Sequence, residues 1–273
     1  VTISIQSDDS HADTTWLEIN RSVAKVWSGA GMFSYDWNTT KYYDGLYNIT
    51  ACANDTVGNL NSTTIFIIVD NTPPDVTITS PANESIVTGI VLINITSANE
   101  TRPDTTWLEI DGNVVDSWPG IGDFTYYWNT SNYIEDWHII IAYANDTVNN
   151  INSYKIRLKV DNSPPSVRIT SPNNYSNVGT TFDVWWSASD AVSYIAKIEV
   201  YINNTLDAVY VEGDNMTNHH TFTNLQVNVD YVVKVVAYDA AGLSNESIVY
   251  VHTVSLSVQI TSPTNWDAFN RSW

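Results

Sequence analysis

The chain has 273 residues and a formal net charge of −19, from 30 acidic and 11 basic residues. Charged residues make up only 15%, against roughly 25% in an average soluble domain, so the acidity reflects scarce Lys and Arg rather than abundant carboxylates. No Lys/Arg cluster offers the cationic footprint that nucleic acid or an anionic membrane needs, and no run reaches the 18 apolar residues of a spanning helix.

Val1-Thr2-Ile3-Ser4-Ile5 carries neither a basic region nor an apolar stretch, so no signal peptide is expected there. The single Cys52 rules out an internal disulfide. Length alone predicts two or three domains. Self-comparison is more informative. Asp13-Thr14-Thr15-Trp16-Leu17-Glu18-Ile19 returns as Asp104-Thr105-Thr106-Trp107-Leu108-Glu109-Ile110. Trp27, Trp37 and Asn54-Asp55-Thr56-Val57 return as Trp118, Trp128 and Asn145-Asp146-Thr147-Val148, and Asp70-Asn71-Thr72-Pro73-Pro74 as Asp161-Asn162-Ser163-Pro164-Pro165. Each displacement is 91 positions. Thr79-Ser80-Pro81 recurs at 170–172 and again at 261–263. The third copy has drifted, with Glu199, Phe222 and Asp239-Ala240-Ala241-Gly242 in the places of the earlier motifs.

Within one period the predicted elements are all strands. Val76–Thr79 alternates and stops at Ser80-Pro81, and Val91–Thr96 is an apolar run beginning after Gly89. Trp107–Ile110 and Val114-Val115 flank Asp111-Gly112, a dipeptide suited to the two positive φ angles of a type I′ hairpin turn. Phe124–Trp128, Ile139–Tyr143 and Ile156–Val160 complete the set. No stretch shows helical periodicity, which predicts an all-β fold. The Asp-Asn-Ser-Pro-Pro string is a stiff connector, because each proline fixes its own φ and holds its predecessor extended.

Pro-Pro-x-Val-x-Ile-Thr-Ser-Pro, with Ala-Tyr-Asp-Ala-Ala-Gly-Leu-Ser-Asn at 237–245, resembles the tandem Ig-like repeats of prokaryotic cell-surface proteins. Leu225, six residues before Tyr231, resembles the tyrosine corner of Ig and fibronectin type III sandwiches. The resemblance implies tandem Ig-like β-sandwiches with units at 1–72, 73–163 and 164–254, followed by an orphan first strand at 255–273. It implies little about activity, since such domains serve as spacers, adhesins, layers and enzyme appendages.

Asparagine occurs 30 times, and 15 of these begin Asn-x-Ser/Thr: Asn20, Asn38, Asn48, Asn54, Asn61, Asn83, Asn94, Asn99, Asn129, Asn145, Asn174, Asn203, Asn215, Asn245 and Asn270. With Ser and Thr together about a fifth of the chain, chance gives about six. The excess predicts covalent N-glycans on an extracellular surface. Strand parity puts Ile49 and Ala51 inward, and Asn48, Thr50 and Cys52 outward. Dense sequons without disulfides point to an archaeal cell surface.

The first unit lacks the Val-x-Ile-Thr-Ser-Pro strand that opens the other two, and 258–263 is that strand with no sandwich after it. In repeat register Trp273 takes the place of Val91, and Val1 that of Leu92. Two explanations are open: the chain is a slice of a longer array, or residues 256–273, through Val258, Ile260, Trp266 and Phe269, complete the first sandwich of the next subunit. A non-closing head-to-tail contact of that kind makes a filament.

Chemistry is sparse. The histidines (11, 138, 219, 220, 252) form no ligand spacing, and His219-His220 reads as a polar loop. HExxH, GxSxG, phosphate-loop and CxxC motifs are absent, so catalysis is not expected and no cofactor is assigned. Ca²⁺ could be held at Asp8-Asp9, Asp70 or Asp161, but those loops lack DxDxD spacing, and Asp before Asn-Thr-Pro-Pro is more simply a turn former. The six tryptophans that recur in register read as packing positions. Trp185-Trp186 must place one ring outward. The sequence therefore predicts a structural, glycosylated extracellular repeat protein that partners itself. The alternative is an adhesin or carbohydrate-binding stalk.

Overall fold

The computed structural model describes residues 1–213 and 216–255. Those residues are all-β apart from single 3₁₀ turns at Thr39–Lys41 and Thr130–Asn132, as the patterning predicts. The expected strand at 258–263 lies outside the described residues.

The first repeat contributes β1 (Thr2–Ser7), β2 (Ala12–Ile19), β3 (Ser22–Ser28), β4 (Gly31–Asp36), β5 (Gly45–Asp55) and β6 (Leu60–Val69). They form a four-stranded sheet β3-β2-β5-β6 and a two-stranded sheet β1-β4. Alternation does the sorting. Ile3 and Ile5 from the small sheet meet Leu17, Ile19, Ile49 and Val69 from the large one around buried Trp37.

The second repeat comprises β7 (Asp75–Ser80), β8 (Ile86–Val87), β9 (Ile90–Ala98), β10 (Pro103–Ile110), β11 (Asn113–Pro119), β12 (Asp123–Asn129), β13 (Trp137–Asp146) and β14 (Ile151–Val160). Its sheets are β11-β10-β13-β14-β8 and β12-β9-β7. The third comprises β15 (Ser166–Ser171), β16 (Ser176–Val178), β17 (Phe182–Ser189), β18 (Ile195–Ile202), β19 (Thr205–Val211), β20 (His219–Phe222), β21 (Asp230–Asp239) and β22 (Ser244–Thr253). Its sheets are β16-β22-β21-β18-β19 and β15-β17-β20. Every sheet thus takes its strands from one repeat. By contact the described residues divide into two compact units, one holding 1–79, 94–125 and 141–155, the other 80–93, 126–140 and those of 156–255. The division crosses the strands of the second repeat.

Local chemistry fixes the turns. The β10–β11 hairpin turns at Asp111 (φ 51°) and Gly112 (φ 78°), the predicted type I′ geometry. The equivalent turns use Asn20-Arg21 (φ 49° and 65°) and Asn203-Asn204 (φ 47° and 65°). Asparagine is among the few non-glycine residues that visit this region, and here its side chain ties the turn to the adjacent strand: Asn20 Oδ1 accepts from the Asn48 N–H at 3.0 Å, and Asn203 Oδ1 from the Val232 N–H at 2.9 Å. The tyrosine corner is present, with Tyr231 Oη accepting from the Gln226 N–H at 3.1 Å.

One register differs from the expectation. Ser7 Oγ lies 2.8 Å from Thr15 Oγ1 and accepts from the Gly31 N–H, while Ser97 Oγ lies 2.8 Å from Thr106 Oγ1 and accepts from the Gly122 N–H. Ser7 therefore matches Ser97, Ile3 and Ile5 match Ile93 and Ile95, and Val1 matches Val91 rather than Leu92. Counted from the matched serines, the path to the next repeat motif is one residue shorter after Ser7 (to Asp13) than after Ser97 (to Asp104).

Candidate functional site

The repeats bring carboxylates together at the two Pro-Pro joints. At the first, Asp70, Glu100 and Asp146 each place one oxygen within 4.8 Å of the others. Protein groups offset part of this negative charge. Arg102 donates to Asp70 Oδ2 at 3.3 Å, and Asn150 donates through Nδ2 to Asp146 Oδ2 at 2.7 Å and to the Asp70 carbonyl at 3.1 Å. Asp146 Oδ1 accepts from the Val148 and Asn150 N–H groups, both at 2.9 Å.

At the second joint Asp161, Asp190 and Asp239 converge within the same 4.8 Å. Asp161 and Asp239 are buried, at 0% and 2% exposure. Asp161 is thus no exposed turn former, although its Oδ1 accepts from the Ser163 N–H at 3.3 Å. Asp190 Oδ1 takes the N–H groups of Val192 and Ser193 at 2.8 and 2.7 Å, and Asp239 Oδ1 takes that of Leu243 at 2.9 Å. Asp161 Oδ2 and Asp239 Oδ2 are enclosed with no hydrogen-bond partner among the described residues. Burial pushes the Asp239 carboxyl above its ordinary pKa. The Leu243 N–H pulls it down, and the Asp161 and Asp190 charges add to the rise. Sequence reading noticed Asp161 but missed its two partners, because they sit on the β17–β18 loop and at the end of β21, 29 and 78 positions further on.

The first repeat has a different feature, an open cleft of about 330 Å³ lined in part by Ile5, Ala51, Ala53 and Thr63. It lies where β7 and β15 stand in the other repeats: β9 and β17 each have a strand on both sides, whereas among the described residues β1 pairs only with β4. The neighbouring positions show the difference. Ile65 is 54% exposed while its counterpart Ile156 is 3% exposed, and half-buried Ala51 and Ala53 match fully buried Ala142 and Ala144.

Of the sequon asparagines, Asn20, Asn38, Asn61, Asn83, Asn99, Asn129, Asn174, Asn203 and Asn245 are exposed, Asn48, Asn54 and Asn94 half-buried, and Asn145 buried. Asn215 and Asn270 lie outside the described residues, as do Val258, Ile260, Trp266 and Phe269. Asn48, half-buried, has its Oδ1 enclosed with no hydrogen-bond partner among the described residues. In eight of the exposed nine, Oδ1 accepts a backbone N–H: from Asn48, Thr40, Ser62, Arg157, Ser131, Tyr250, Val232 and Glu246, in chain order of the acceptor. Asn99 instead donates through Nδ2 to Asp75 at 2.6 Å. Asn145 uses both ends of its amide, on the Thr105 N–H and on Asp104 Oδ2.

Other expectations resolve cleanly. Trp186 is buried, while Trp185 faces outward at 39% exposure and stacks on His219 with ring centroids 4.4 Å apart. His219-His220 lies in strand β20 rather than a loop, and His220 bonds Asp207 at 2.6 Å and Tyr210 at 2.8 Å. Cys52 sits across from Trp16 yet is 8% exposed. Burial first and the Glu18 charge second raise its pKa, so it is a thiol.

Paired sheets, separate cores and a tyrosine corner define a protein of tandem Ig-like β-sandwiches. Residues 165–244 match the family described as Bacterial Ig domain, and residues 31–116 match Bacterial Ig-like domain (group 3), a stretch that spans the first joint. Neither is a catalytic family. No curated protein matches the chain. Among solved structures, the fibronectin(III)-like modules of Clostridium thermocellum CbhA are 17% identical, with 68% of this chain and 98% of theirs covered and a TM-score of 0.45. Titin domains A168–A170 are 16% identical, with 92% and 91% covered and a TM-score of 0.45. A region of a 1.5-MDa bacterial ice-binding adhesin is 15% identical, with 94% and 91% covered and a TM-score of 0.38.

Proposed function

We propose that this chain is the structural, glycosylated repeat region of an extracellular surface protein, with one sandwich per period at 1–72, 73–163 and 164–254. We further propose that the first sandwich is completed by an added Val-x-Ile-Thr-Ser-Pro strand from residues 256–273 of a second copy, giving a head-to-tail filament. The open cleft beside β1 carries the reading. In the second repeat Val76 and Ile78, at 8% and 6% exposure, occupy the equivalent place. Val258 and Ile260 repeat that pattern. An unpaired strand edge over apolar side chains invites pairing with another chain.

The test is assembly state. Light scattering and electron microscopy should find oligomers of the intact chain that grow with concentration, and monomers once residues 255–273 are deleted. A synthetic peptide of residues 256–273 should bind the shortened chain and raise the melting temperature of its first sandwich. Oligomers that survive the deletion would rule out strand exchange. An intact chain that stays monomeric while the shortened one still binds peptide favours the second reading, in which a strand preceding Val1 in a longer surface stalk fills the cleft.

The glycans are assigned to the eight exposed asparagines whose bonds all end on Oδ1, since sugar attaches at Nδ2. Asn145, buried and bonded at both ends, is not an acceptor. Glycopeptide mass spectrometry of protein from its native surface should find sugar at Asn38 and Asn129 and none at Asn145; sugar on Asn145 contradicts this assignment.

A further inference from the structure

The two joints are copies of one design, so each serves as a control for the other. Glu100 and Asp190 correspond, since each accepts the N–H of the residue two positions on, Arg102 and Val192. Asp146 and Asp239 correspond, since each closes the same turn with the residue four positions on, Asn150 and Leu243. Both side-chain donors of the first joint are therefore replaced by hydrocarbon in the second: Arg102 by Val192 and Asn150 by Leu243. The carboxylates stand at both joints, whereas the side-chain donors that bond them stand only at the first. Two buried oxygens, on Asp161 and Asp239, have no partner as a result. Lys159 does not replace them, because its Nζ is bonded to the Val192 carbonyl at 2.5 Å and forms no ion pair with the three acids among the described residues.

Leaving buried carboxylates uncompensated is costly, and an enclosed group of this kind is paired, binds a metal or takes up a proton. We propose that Asp161, Asp190 and Asp239 bind one Ca²⁺ ion, which does at the second joint what Arg102 and Asn150 do at the first. The chemistry fits a hard cation: all three ligands are oxygens, and oxygens lying within 4.8 Å of one another can all reach one Ca²⁺ at about 2.4 Å. The ligands come from the Pro-Pro joint, the β17–β18 loop and the end of β21, so the ion ties three distant segments together. Sites on extracellular modules bind with Kd of about 0.1–1 mM, within reach of a surface protein's surroundings.

The experiment uses the whole chain, stripped with chelator and titrated with CaCl₂, and in parallel MgCl₂, by isothermal calorimetry and thermal melting. One Ca²⁺ should bind per chain, more tightly than Mg²⁺, and raise the melting temperature of the third sandwich by about 5 °C at saturation. Asp161→Asn and Asp239→Asn should each weaken binding by about 100-fold or more. A Val192→Arg/Leu243→Asn variant, which restores the first joint's donors, should not bind Ca²⁺ and should melt in chelator no lower than the natural chain does. Absence of binding and of any melting shift up to about 10 mM Ca²⁺, ten times the weakest expected Kd, overturns the proposal. Binding that is unchanged in both Asn variants overturns it equally, by placing the ion elsewhere.

Discussion

Replacing Trp128 with Ala should remove a large share of the stability of the second sandwich. The indole is fully buried, and it meets Tyr133 edge-on at 5.2 Å and His138 at 5.6 Å. Deleting a buried indole costs about 3–5 kcal/mol, transfer free energy and residual cavity together, out of roughly 5–15 kcal/mol available to a whole domain. Hydrogen exchange should show β9, β12 and β13 losing protection while β17, β18 and β21 keep theirs. Trp128→Phe should cost far less, because Trp128 Nε1 has no hydrogen-bond partner among the described residues and the aromatic contacts survive. The third repeat already carries Phe222 in that place, at 2% exposure. Unchanged protection in the Ala variant would mean that this ring is not the keystone its burial implies.

The second large effect is expected from Asp146→Ala. This carboxylate is fully buried and closes a turn with three hydrogen bonds, from two backbone N–H groups and the Asn150 amide. Each buried donor left unpaired costs about 1–3 kcal/mol. The sum is offset partly by relief of repulsion from Asp70 and Glu100, so a net loss of about 3 kcal/mol is expected. Asp55 makes the same turn at the surface, with Val57 and Asn59 as donors, and the Asn59 amide foremost among them holds its pKa low. There water can replace the lost carboxylate, so Asp55→Ala should cost less than Asp146→Ala. Chemical denaturation of the two variants separates the cases. Equal losses would show that burial at the joint contributes nothing.

Much of this architecture is legible in the sequence because strands and turns are local. Alternation in Val76–Thr79, the Asp111-Gly112 dipeptide and the spacing of Leu225 to Tyr231 each report a structure formed by neighbours. The 91-residue period multiplies these signals. What the sequence hides is non-local. One residue fewer between Ser7 and Asp13 moves Val1 into Val91's place, and no motif records it. Cys52 is outward by parity yet buried opposite Trp16. Asp161 reads as a turn former because its string contains Pro-Pro, whereas its surroundings come from residues 190 and 239. The loss of Arg102 and Asn150 from the third copy becomes meaningful only once the turns are superposed through their hydrogen bonds, because insertions have pushed those positions out of the simple period.

The asparagine turns have a practical corollary. In Asn38, Asn129 and their kin, one amide divides its duties: the oxygen ties the backbone and the nitrogen faces outward, so a sugar can be added without unfastening the turn. Asn→Gln, the usual way to silence a glycosylation site, displaces the oxygen as well and confounds a lost sugar with a lost turn. Asn→Asp keeps an acceptor oxygen in place and exchanges the nucleophilic nitrogen for an oxygen, at the cost of one added negative charge. For this chain it is the cleaner subtraction, separating what the carbohydrate contributes from what the polypeptide supplies by itself.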